Sequence, residues 1–97
     1  MKVTNMTSNK GNKIANQFII YDDNDNKYFQ SYNSIIVKID NFFKNSDGLP
    51  LSSISLDEKY WNYSTTTSKY RNIFLEETTK ETQKKIDQGI YILTNLN

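Results

Sequence analysis

Glu76, Glu77, Glu81 and Asp87 lie in one short stretch and are the side chains that paired-carboxylate hydrolysis or a magnesium site would use. Neighbouring residues on a helix point about 100° apart, so Glu76 and Glu77 cannot converge. Glu77 and Glu81, one turn apart, could. No companion carboxylate and no phosphate-binding loop accompanies them, and the group reads as a solvated helix face. The chain has no His and no Cys. Most zinc sites, Ser–His and Cys–His catalysis, disulfides and the commonest general base near neutral pH therefore fall away. The expectation is a non-enzymatic protein, with no catalytic residues, no metal and no cofactor.

Three other groups have the residue types for binding. Ser64, Thr65, Thr66, Thr67 and Ser68 are five consecutive hydroxyl residues ahead of a helical pattern. One of them suffices as a cap; the surplus suits an anion held at a helix N-terminus. Lys69, Arg71, Lys80 and Lys84 make a basic set on two short helices, with a spacing like that of a helix-turn-helix. The joint has no Gly, however, and carries Glu76 and Glu77, so a solvated face is the favoured reading. Tyr28, Phe29 and Tyr32 could stack single-stranded bases, but only Lys27 and Lys38 are interleaved with them and core packing is preferred. Asp22, Asn24 and Asn26 have the alternation of a calcium loop, yet Lys27 stands where Gly is needed and Asn33 where a bidentate Glu would close the cage. A turn is expected there.

These groups must be positioned by one small fold. Ninety-seven residues suit a single domain that folds without staples, and 13% aromatic residues supplement a 36% hydrophobic content. Twelve basic residues against eleven acidic ones lack the one-signed field of a strong nucleic-acid binder or a DNA mimic. No apolar run approaches the roughly 20 residues of a membrane span, and the N-terminus has no signal-peptide core; a cytoplasmic location is expected.

Residues 1–12 carry little to bury and are expected as a flexible arm, ahead of a single α+β domain over 13–97. KIANQFIIYD (13–22) reads as a strand, with Ile14, Phe18 and Ile20 on one face and Gln17, Ile19 and Tyr21 on the other. After the 22–26 turn, KYFQSYNSIIVKID (27–40) reads as one long, bulged strand, although Tyr32, Ile35, Ile36 and Ile39 also match helical spacing. Residues 41–53 are expected as a loop in which Phe42 or Phe43 anchors to the core. Ile54 and Leu56 face inward on a short strand. Tyr60, Trp61 and Tyr63 form an aromatic hinge before a first helix with a Tyr70, Ile73, Phe74 stripe. Thr78 and Glu81 make a capping box for a second helix, in which Glu81 pairs with Lys85, Thr82 and Ile86 face the core, and Gly89 is the stop. Residues 90–93 close the order β-β-β-α-α-β, a mostly antiparallel sheet with a helical pair packed on one face.

The segments YFQSYNSIIVKID and LDEKYWNYSTTTSKYRNIFLEETTKETQKKI resemble a group of short phage- and mobile-element-encoded proteins of low-GC bacteria. Members share a SYNSIIxKI strand, a YWxYSxTTSKYxxxFL segment and a TxET helix, over roughly residues 28–94 of this chain. The resemblance implies an accessory role in a phage–host or plasmid–host setting. The leading expectation is thus a protein that binds a host protein or complex, such as a defence complex of the CRISPR type, through Trp61, Tyr63, Tyr70 and Arg71, since Trp, Tyr and Arg dominate interface hot spots. The alternative is a weak nucleic-acid binder using Lys69, Arg71, Lys80 and Lys84.

Overall fold

The computed structural model describes residues 1–40 and 53–97; the expected core anchors Phe42 and Phe43 lie outside them. Six strands, β1 (Lys2–Thr7), β2 (Lys13–Tyr21), β3 (Lys27–Ser31), β4 (Ser34–Ile39), β5 (Ile54–Asp57) and β6 (Tyr91–Thr94), form one sheet in chain order. All pairings are antiparallel except β5 with β6. Between those two run helices α1 (Thr65–Leu75) and α2 (Thr79–Asp87), because a parallel pair needs a crossover. The α+β class holds, but the order among the described residues is β-β-β-β-β-α-α-β.

Two corrections produce that order. The expected N-terminal arm is strand β1, paired with β2 from Lys2↔Tyr21 onward; an edge strand needs only one partner and little side-chain burial, so its sparse apolar content did not mark it. The expected long strand 27–40 is a hairpin. Tyr32 adopts φ 56° and, with Asn33, makes a two-residue connection between Ser31 and Ser34. The Tyr32 N–H donates to the Asn16 carbonyl at 2.7 Å, which ties the turn to β2. The expected bulge is present one step later, between Phe29↔Val37 and Gln30↔Ile35.

The core consists of Met6, Phe29, Ile36, Val37, Leu56 and Tyr91, with Ile14, Ile19, Ile39, Ile54, Trp61, Tyr70, Phe74, Leu75 and Ile86 among the side chains packed on it. Ile14 joins this side with Gln17 and Ile19, against simple alternation, because Asn16 at φ 64° resets the pleat. Helix α1 turns Thr67 and Arg71 fully inward and stacks Phe74 on Phe29 at 5.5 Å. Its inner stripe is therefore 67, 71, 74, and Ile73, expected to be apolar core, is 54% exposed.

The local signals are fulfilled at the helix ends. Ser64 caps α1 by accepting from Thr67 N, and the Thr78–Glu81 capping box is complete in both directions. Gly89 follows α2 at φ 74°. Thr82 is fully buried and Ile86 packs on the core. Helix α1 ends differently, on Glu76 at φ 56°, where a Cβ is unfavourable and Gly is the usual choice.

Candidate functional site

The pairing register sorts the strand residues onto two faces. Thr4, Ile19, Phe29, Val37, Leu56 and Leu93 lie abreast on the face under the helices. One residue along, Val3, Ile20, Tyr28, Lys38, Ser55 and Ile92 lie abreast on the opposite face, with Asn5, Phe18, Gln30 and Ile35 as a second rank. Alternation of side chains along each strand makes this division. None of the apolar members of the second face belongs to the core or to the side chains packed against it. Val3 and Ile92, at its two ends, are 57% and 52% exposed. Phe18, Ile20, Tyr28 and Ile35 are partly exposed.

The polar groups on this face are held in place. The Tyr28 hydroxyl donates to Asp22 Oδ2 at 2.8 Å, and the Lys38 ammonium lies 6.0 Å from the Tyr28 ring centre and 3.2 Å from Asp40. Partial burial and then the Asp22 bond raise the Tyr28 pKa; the Asp40 bond raises that of Lys38. Asp22 is the hub of the 22–26 turn, accepting from the Asn24 and Asn26 main chain and from Asn26 Nδ2. Desolvation opposes its ionisation, but these bonds together outweigh it and hold Asp22 down to about 2. The carboxylate that resembled a calcium ligand is thus spent on its own turn. Met1, Ile20, Asp22, Tyr28 and Ile35 line a shallow recess of about 190 Å³ at this end of the face.

The residues singled out in sequence lie on the helical side and separate. Arg71, expected as a surface contact in both binding readings, is 0% exposed. Its guanidinium donates to the Trp61 carbonyl, to Asn62 Oδ1 and Ser68 Oγ, and to Asn72 Oδ1 and Thr79 Oγ1 at 2.9 and 2.8 Å, and it lies 5.0 Å from the Trp61 ring centre. It ties the hinge, α1 and the start of α2 together, so the only Arg of the chain is a structural cation. Trp61 and Tyr70 pack on the core. Tyr63 is 51% exposed, and Lys69, Lys80 and Lys84 are exposed.

The acidic group separates as well. Glu81 is engaged in its capping box, and Asp87 accepts from Gln83. Glu77 is not solvated: its side chain is 4% exposed and accepts from Thr82 Oγ1 at 2.6 Å, Lys85 Nζ at 2.8 Å and Tyr91 Oη at 2.6 Å. Lys85 therefore pairs with Glu77 rather than with Glu81. Burial and then Glu77 push the Tyr91 phenol up to about 12. Glu77 itself is held below the usual carboxylate range, its three donors outweighing the desolvation that would raise it. This is a saturated network that pins α2 to β6. Among the described residues no three acidic side chains gather as a metal site would require, and no helix is long and apolar enough to cross a membrane.

Among the described residues, fold and site define a small α+β protein whose sheet is packed by the helices on one face and carries no further element on the other. The chain belongs to a family of unknown function (DUF8033), whose model matches residues 1–89 and so takes in strand β1. No curated protein and no solved structure matches the chain.

Proposed function

We propose that this is a non-enzymatic protein-binding module that meets its partner through the open face of the sheet. The observation that carries the reading is the rank Val3, Ile20, Tyr28, Lys38, Ser55, Ile92, flanked by Phe18 and Ile35: apolar and aromatic side chains from five of the six strands, outside the core. An apolar surface of this kind, here divided by Lys38 and Ser55, is the sort that marks an interaction site. Its single Lys is neutralised by Asp40, in keeping with interface centres that are rich in Tyr, Phe and aliphatics and poor in net charge. The resemblance to phage and mobile-element proteins makes a host protein the partner class, with a defence complex as the leading candidate. The nucleic-acid reading is weaker, since Arg71 is withdrawn inside.

Capture from a low-GC bacterial host lysate tests this when three baits are compared. Wild type and Ile73→Lys, a change on the exposed side of α1, should retain a protein that the double variant Val3→Lys/Ile92→Lys loses, while all three keep the same circular dichroism. Equal recovery on all three baits would overturn the assignment of the face.

A further inference from the structure

A second feature lies on the helical side, where the hinge meets α1. Asn62, Tyr63, Ser64, Thr65, Ser68 and Lys69 line most of an open recess of about 640 Å³, which Asn72 and Thr79 complete. We propose that this recess binds a phosphate-class oxyanion. Three independent observations converge on it.

The first is the buried cation beneath it. Arg71 is fully buried, and four of its partners, Asn62, Ser68, Asn72 and Thr79, are themselves recess residues. All its acceptors among the described residues are neutral, and its Nε has no partner among them. The carboxylate that acts on it through space, Glu77, is already matched by Lys85 at 2.8 Å. A buried charge without a counter-ion is costly, and an anion in the recess would supply one.

The second is the helix start. Ser64 spends its oxygen on Thr67 N, Thr67 turns inward to Ser31, and Ser68 donates to Asn62. The N–H groups of Thr65 and Thr66, in the first turn, have no intrahelical acceptor, and that turn holds no acidic side chain. An anion is favoured there by the unpaired N–H groups and the helix dipole. The third is Lys69, exposed at the rim, its ammonium resting over the Tyr70 ring at 5.3 Å.

Titration of the ¹⁵N-labelled protein with inorganic phosphate, at constant ionic strength against chloride, reads this directly. Saturable shifts are expected at the Thr65 and Thr66 amides. Thr65→Glu places a carboxylate of the protein's own at the site and should abolish them, and Lys69→Gln should weaken binding by roughly two- to fivefold, the effect of one charge near a helix terminus. Absence of saturable shifts in wild type overturns the proposal, and so do shifts that persist unchanged in Lys69→Gln and Thr65→Glu. The sheet-face reading is untouched by either result, because the two sites share no residue.

Discussion

The two faces of the sheet come from the same strands and differ in what covers them. Under the helices, Phe29, Val37 and Leu56 are 0% exposed, and the polar groups there are tied into Arg71 and Glu77 networks that join separate elements. On the other side the apolar side chains lie outside the core and outside the side chains packed against it, and the polar groups, Tyr28 with Asp22 and Lys38 with Asp40, are paired locally. The first face holds the fold together. The second has, among the described residues, no element packed over it. Hydrophobicity by itself does not distinguish the faces; what distinguishes them is whether another element of the chain is packed on top.

Substitutions on each face should separate the two. Phe29→Ala removes a ring stacked on Phe74 and is expected to cost about 3–5 kcal/mol in urea unfolding. Ile92→Thr or Val3→Thr on the open face should stay within about 0.5 kcal/mol of wild type. Comparable losses at both would mean that the open face is part of the core.

The Glu77 network gives the next largest effect. Glu77→Ala leaves Lys85, Thr82 and the Tyr91 hydroxyl without their shared acceptor, for an expected loss of about 2–3 kcal/mol. The Tyr91 phenol should then ionise closer to its ordinary value of 10.0, which ultraviolet titration of tyrosinate would detect. In wild type the phenol is favoured in its neutral form by folding. That stabilisation is complete below pH 10 and lost as pH rises towards about 12. The carboxylates act with the opposite sign. Asp22, at about 2 against an ordinary 3.8, favours the folded state above pH 4 and loses that contribution as pH falls towards 2. Asp57, which accepts from the Tyr60 and Leu96 main chain, and Glu77 are depressed in the same sense. A thermal midpoint that stays flat between pH 4 and 2 would contradict this.

One expected effect is a gain. Glu76→Gly relieves a left-handed residue at the end of α1 and should stabilise by about 0.5–1 kcal/mol. It touches neither face and serves as the control for general changes in stability.

Features decided within a few residues were legible in the sequence. Thr78 and Glu81 cap α2 because their side chains reach each other's main chain, and Asp22 closes its turn for the same reason. Ile54 and Leu56 face inward, as alternation requires. What sequence could not show depended on distant partners or on unusual backbone. Tyr32 turns the chain with a positive φ where no Gly marks it, held by the Asn16 carbonyl. Glu77 reads as a surface residue until β6 brings Tyr91 to it, and Arg71 as an interface residue until the Trp61–Ser68 segment wraps around it. Gln17 remains unexplained: it is 0% exposed, and neither polar atom of its side chain has a partner among the described residues. The open face was missed because it exists only once five registers are known. Val3, Ile20, Tyr28 and Ile92 are far apart along the chain, and no periodicity within one strand reports which side the helices will take.

Site-specific photo-crosslinking in the host tests the central claim most directly. A benzophenone side chain placed at Val3 or at Ile92, with one at Ile73 as the comparison, should give a discrete protein adduct from both sheet-face positions and none from Ile73. An adduct from Ile73 with none from Val3 or Ile92 would place the partner on the helices and contradict the account.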